Sequence, residues 1–108
     1  MIGEIVRVTV DRKLGSRHPE HKDLIYPVNY GFISGTTAPD GEAQDAYILG
    51  ISEPVDTFVG KVIAIIHRKN DVEDKWVIAP PDMPFTKEEI QQQTQFQERY
   101  FNVEIHTE

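Results

Sequence analysis

The sequence predicts an α+β fold, a small barrel or curled sheet with one helix packed on it. Three observations carry this: segments with the period of strands fill the first two thirds, proline runs end them at Pro80, Pro81 and Pro84, and a well-capped helix follows. Val6, Val8 and Val10 alternate with Arg7 and Thr9, the period of a half-buried strand. Residues 12–23 are polar, hold Gly15 and Pro19, and read as a loop. Residues 24–33 are rich in aromatic and β-branched side chains, with a bend or a sheet edge set by Pro27. Gly35, Pro39 and Gly41 make residues 34–43 loop and turn. Residues 45–51, 61–67 and 75–79 read as further strands, with a turn at Asn70 and Asp71. Thr86 and Glu89 have the spacing of a capping box, and Phe85 and Ile90 that of a hydrophobic staple. A helix is expected over residues 86–101, with Ile90, Phe96 and Tyr100 in its contact face and residues 91–93 in solvent.

The 108 residues amount to one domain, residues 1–108, and 39% hydrophobic content suffices for one modest core. No apolar run approaches the ~20 residues of a membrane span, and the alternating start of the chain does not read as a signal peptide. The absence of cysteine excludes disulfides, thiolate chemistry and Zn–Cys sites. A cytoplasmic protein is the plain reading. A net charge of −7 argues against a general nucleic-acid binder. It also repels any anionic substrate, a difficulty that bound divalent cations remove by reversing the local charge. Taken alone, that charge is better explained by solubility.

Asp40, Glu42 and Asp45 place three carboxylates within six residues around Gly41. Such a turn can aim oxygen donors at one point, as hard cations such as Mg²⁺ require, though the spacing is not that of an EF-hand. By itself such a group is more often a solvated turn. Asp71, Glu73 and Lys75 share one face if their stretch is extended. Two carboxylates and a lysine on one face suit metal and phosphate oxygens; an exposed edge with an ordinary salt bridge is the simpler alternative. The string Tyr26-Pro27-Val28-Asn29-Tyr30-Gly31-Phe32-Ile33 adds phenols that could donate to phosphate, or merely pack.

Together these pieces resemble the soluble, metal-dependent family I inorganic pyrophosphatases. The family's Y-P-x-N-Y-G-[YF]-I string stands at residues 26–33, and its D-G-D-x-x-D stands at 40–45, ten residues beyond Tyr30. A later acidic stretch leading to K-x-V-x-x-P matches 71–80. The resemblance covers about residues 7–80, with a fainter echo in the last helix. It implies a five-stranded OB-like barrel with a C-terminal helix outside, hydrolysis of pyrophosphate or a related phosphoanhydride, two or more Mg²⁺ ions with Mn²⁺ as a substitute, and a homo-oligomer. Carried over by position, Asp40, Asp45, Asp71 and Glu73 would hold metal, with Asp45 shared between two ions. Glu42 would orient and deprotonate the attacking water. Arg7, Tyr30, Lys75 and Tyr100 would contact phosphate.

The chain departs from the family pattern in several places. Glu42 and Glu73 replace aspartates, and Phe101 replaces a lysine. The loop before Tyr26 is shorter, and Arg17 and His18 are the nearest residues to a phosphate-binding arginine. Fewer cations on the substrate side point to weaker pyrophosphate binding, an organic or nucleotide phosphoanhydride, or a non-catalytic barrel that binds metal or phosphate. His18 and His21 could ligate metal, act as general acid to a leaving group, or cover the site, although polar loop histidines usually do none of these. His67 reads as structural, and His106 lies in a terminus expected to fray.

Overall fold

The computed structural model describes residues 1–70 and 73–108, and the turn expected at Asn70 and Asp71 lies partly outside them. β1 (Ile5–Arg12) pairs antiparallel with β2 (Asn29–Ile33), and β2 with β3 (Gln44–Ile48). β3 runs parallel to β5 (Asp74–Ala79), and β5 antiparallel to β4 (Thr57–Arg68). β4 then pairs antiparallel with β1, so five strands close into a mixed barrel. Each of these five strands is thereby paired along both of its edges. It is the OB-like barrel that the sequence led us to expect.

The strands bury both faces, because the barrel is filled inside and covered outside. Val8, Ile33, Ala46, Ile48, Val62 and Ile78, drawn from all five strands, form the interior cluster. Tyr30, Tyr47 and Val77, of opposite parity on their strands, and Ala64 and Ile66, beyond an irregularity in β4 between Val62 and Ala64, form a second cluster on the outer face. Helix α1 (Lys87–Glu98) covers this second cluster through Ile90, with Phe85 and Phe96 packed against it. The reciprocal Thr86–Glu89 capping box forms as expected. β2 lies so close to β1 that a Cβ at Gly31 would stand 1.9 Å from the Thr9 carbonyl oxygen.

Several boundaries differ from expectation: β4 begins at Thr57 rather than at residue 61, and β3 ends at Ile48 rather than at residue 51. The 24–33 stretch is strand only from Asn29, with a single bridge between Ile25 and Arg17 before it. The helix stops at Glu98 rather than at residue 101. The chain must then turn, with Phe101 N–H on the Glu98 carbonyl, because residues 103–107 form a sixth strand, β6 (Val103–Thr107). β6 pairs with the second half of β4, so the terminus holding His106 is ordered pairing and does not fray. Among the described residues, no helix is long and apolar enough to cross a membrane.

Candidate active site

The outer face beneath α1 changes character along the strands. Register places Tyr47 beside Val77, and Ile66 opposite Lys75. Alternation therefore puts Asp45 of β3, Lys75 of β5 and Arg68 of β4 on the same face as that apolar cluster, one step further along. The apolar floor ends and a charged floor begins. Above it lies a cavity of about 550 Å³. Its walls come from Arg12 at the end of β1, His18, His21 and Leu24 in the loop before β2, and Arg99, Tyr100 and Phe101 after α1.

Lys75 is at the centre of the charged floor. Its Nζ donates to Asp45 Oδ2 at 2.6 Å and to Glu73 Oε1 at 2.9 Å. Burial opposes its charge, but the neighbouring Tyr30, Asp45 and Glu73 outweigh burial and raise its pKa. Tyr30 stands over the same ammonium, and burial pushes its phenol up to about 12. Arg68, almost wholly buried, forms a forked pair with Glu98 of α1 at 2.9 and 2.7 Å. It also reaches Glu73 Oε2 at 3.3 Å and lies 3.7 Å from the Phe101 ring centre. The Tyr47 hydroxyl donates to Glu98 at 2.6 Å and accepts from Gln97, whose carbonyl accepts from Tyr26. Arg12 donates to that Tyr26 hydroxyl at 2.7 Å. One polar network thus ties α1 to the cavity floor.

His18 is held by backbone. Its Nδ1 accepts N–H bonds from Glu20 and His21, at 3.1 and 3.2 Å, so the neutral ring carries its proton on Nε2. Partial burial first, then Arg12, lowers its pKa.

Of the residues singled out in sequence, the fold brings Tyr30, Asp45, Glu73 and Lys75 together and sets Tyr100 at the rim. Asp40 and Glu42 stand on an exposed turn, where Asp40 accepts from the Glu42 backbone N–H at 3.0 Å, and neither lines the cavity. Arg7 is exposed on β1 opposite Val59, and exposed Arg17 donates to the Lys22 carbonyl. Asp71 lies outside the described residues. Sequence reading passed over Arg12, Arg68, Gln97 and Glu98. A signal existed for two of them. Arg68 follows Val62, Ala64 and Ile66 in core phase, and Glu98 follows Ile90 and Thr94 at helical spacing. Charges in core phase need partners, and these two are each other's.

The donor chemistry fits a divalent metal in part. Asp45 and Glu73 aim hard oxygens at one point that already carries a positive charge, the Lys75 ammonium. Among the described residues, no three acidic or histidine side chains converge into an all-protein cage. Mg²⁺ commonly takes one or two carboxylates and draws its remaining ligands from water and phosphate.

The family described as inorganic pyrophosphatase matches residues 4–106. The inorganic pyrophosphatase of Caulobacter vibrioides is 34% identical over 64 residues, 56% of this chain and 34% of that relative, so the match spans about a third of the relative's length. Among solved structures, the inorganic pyrophosphatase of Ehrlichia chaffeensis superposes with a TM-score of 0.74 at 17% identity, covering 99% of this chain and 88% of that one. That of Neisseria gonorrhoeae gives 0.65 at 23% identity, over 91% of this chain and 74% of the other. These structural likenesses establish the fold. The family match runs over nearly the whole sequence, and the chain belongs to the inorganic pyrophosphatase family.

Proposed function

We propose that the cavity hydrolyses inorganic pyrophosphate to phosphate with the help of Mg²⁺, or of Mn²⁺ in its place. The observation that carries this reading is the meeting of Asp45, Lys75 and Tyr30 at one cavity floor, with Glu73 on the same ammonium, in a chain of this family. Four of the chain's 11 lysines and arginines, Arg12, Arg68, Lys75 and Arg99, line the cavity, so an anion meets cations despite the net charge of −7. A bound divalent ion supplies Lewis-acid polarisation and a water of lowered pKa. Asp45 and Glu73 would hold it. Lys75 places its ammonium on a phosphate oxygen. Tyr30 stays protonated at neutral pH and donates its phenol hydrogen. Arg12 and Tyr100 hold the outer phosphate. The resemblance assigns metal and water handling also to Asp40 and Glu42, but both are exposed on the turn before β3 and outside the cavity lining, so this reading places the chemistry on Asp45 and its neighbours. Preorganised charges of this kind carry most of the work in phosphoryl transfer. The reading includes a cytoplasmic, homo-oligomeric protein with no nucleic-acid partner.

The test is phosphate release from pyrophosphate with and without Mg²⁺, beside Asp45→Asn. Metal-dependent release that the substitution lowers by about 100-fold or more supports the reading. Release unchanged by Asp45→Asn overturns it.

A second reading has its own observation. Leu24, Tyr100 and Phe101 give the cavity an apolar wall, and its ≈ 550 Å³ falls within the range of pockets for organic ligands. Organic or nucleotide diphosphates turned over well above pyrophosphate would favour it.

A further inference from the structure

We propose that Gln97 is a positioning residue for Arg12: acting through Tyr26, it holds the guanidinium aimed into the cavity, so that a residue of α1 tunes the grip on an anionic ligand. The proposal rests on the reading above that Arg12 holds a phosphate.

An irregularity in β1 puts Arg12 where it stands. The strand pairs Val10 with Gly31 but Arg12 with Tyr30, so one extra residue intervenes. Such a bulge re-aims the side chain beside it. Arg12 thereby comes over the rings of Tyr26 and Tyr30, each centred 5.8 Å from its guanidinium carbon. Lys75 and Arg68 are both paired with carboxylates. Among the described residues Arg12 pairs with none, and its guanidinium donates to the Tyr26 hydroxyl alone. Its charge is open to a ligand, and its aim depends on that hydroxyl.

The direction of the bonds behind Tyr26 follows from their two ends. Glu98 is a carboxylate gripped by Arg68, so it only accepts, and the Tyr47 hydroxyl gives it a hydrogen at 2.6 Å. The Tyr47 oxygen is left to accept, which turns the Gln97 amide NH₂ toward it at 2.8 Å. The Gln97 carbonyl then faces Tyr26 and takes that hydroxyl's hydrogen at 2.9 Å. The Tyr26 oxygen in turn accepts from Arg12 at 2.7 Å, and a guanidinium only donates. Every link points the same way, from Arg12 to Glu98, and aligned links strengthen one another. The middle of this chain needs one donor side and one acceptor side, which an amide has and neither a carboxylate nor an apolar side chain has. Without it the fully buried Tyr26 loses the acceptor for its hydrogen, and Arg12 loses a fixed anchor.

The experiment measures inorganic phosphate binding by calorimetry at constant Mg²⁺, on wild type, Gln97→Met, Arg12→Met, the double variant and Thr86→Ala. Gln97→Met keeps the length of the side chain and removes both polar atoms. It should weaken phosphate binding about fivefold, the worth of one ordinary hydrogen bond. In the Arg12→Met background the same change should matter by less than about twofold, because its effect passes through Arg12. Thr86→Ala loosens the far end of the same helix and should leave phosphate affinity within about twofold of wild type. If Gln97→Met does not fold by circular dichroism, Tyr26→Phe, which breaks the chain one link nearer Arg12, carries the comparison. Phosphate affinity unchanged by breaking the chain overturns the proposal. So does a loss that persists without Arg12, or an equal loss in Thr86→Ala. Pyrophosphate turnover is scored separately, and there Gln97→Met should raise KM about fivefold with kcat within about twofold of wild type, as for lost uniform binding. Phosphate results as expected without any turnover would sink the hydrolytic function and leave this inference standing. Turnover with Gln97→Met equal to wild type in KM and in phosphate affinity would do the reverse.

Discussion

Neutralising Glu98 should destabilise the fold far more than a helix-end substitution normally does. The carboxylate takes two bonds from Arg68 at 2.9 and 2.7 Å and one from Tyr47 at 2.6 Å, with both members of the ion pair almost wholly buried. In Glu98→Gln the Tyr47 hydroxyl keeps an acceptor, but an amide NH₂ faces the guanidinium. Removing one member of a buried pair costs about 3–5 kcal/mol. The low end, about 3 kcal/mol, applies because Glu73 still faces Arg68 at 3.3 Å. At this chain length each kcal/mol moves Tm by roughly 4–8 °C, so Tm should fall by about 12–24 °C. The assay is urea unfolding of wild type, Glu98→Gln, Arg68→Met and the double variant. The double variant leaves no buried charge without a partner, so it should be no worse than the poorer single one, with a coupling energy of about 3 kcal/mol. A Glu98→Gln cost below about 1 kcal/mol, or two losses that simply add, would refute the reasoning.

Other outcomes follow from the same geometry. Gly31→Ala forces a Cβ to within 1.9 Å of the Thr9 carbonyl oxygen, and should cost about 3 kcal/mol in urea unfolding; a near-neutral result would mean that β1 and β2 separate easily. Thr86→Ala loses the capping box and should cost about 1 kcal/mol; an unchanged urea midpoint would show the cap to be idle. Tyr30 is raised from 10.0 to about 12 in the fold, so the unfolded chain loses this proton first. Its stabilising share is whole below about pH 10 and fades as pH climbs toward 12. Wild type should therefore lose about 1 kcal/mol more than Tyr30→Phe between about pH 9 and 11, and parallel losses would refute this. Asp45→Asn should lower kcat more than Glu42→Gln, because Asp45 lines the cavity and Glu42 is exposed; the reverse ranking would put the water-handling step on the turn.

Local features were legible in the sequence. The capping box, the proline stop and the alternating valines of β1 each depend on neighbours in the chain, and each formed. The tyrosine string and the spacing to Asp45 pointed to two residues that line the candidate cavity, Tyr30 and Asp45, because that spacing is the hairpin from β2 to β3. Features that depend on which strands pair were not legible. Arg68 and Glu98 are 30 positions apart and meet only because α1 crosses the end of β4. Arg12 looks like a strand-end surface charge until closure of the barrel turns it over Tyr26 and Tyr30. β6 was missed because its alternation is mostly exposed and separates no strong apolar face. Asp40 and Glu42 have the spacing of ligands, but spacing cannot say which way a turn leans.

The order of partners along β4 has a consequence for how this site could change. One edge of β4 serves β1 with its first half and β6 with its second, and the Arg68 that ends the strand also grips the end of α1. Residues 99–102 therefore form a strap of four residues anchored at both ends to a single strand. Its length is dictated by the anchors, yet the Tyr100 side chain is exposed at the cavity mouth. A strap of set span with a replaceable side chain is a natural place for substrate choice to drift, or to be redesigned, while the barrel beneath it goes on folding in the same way.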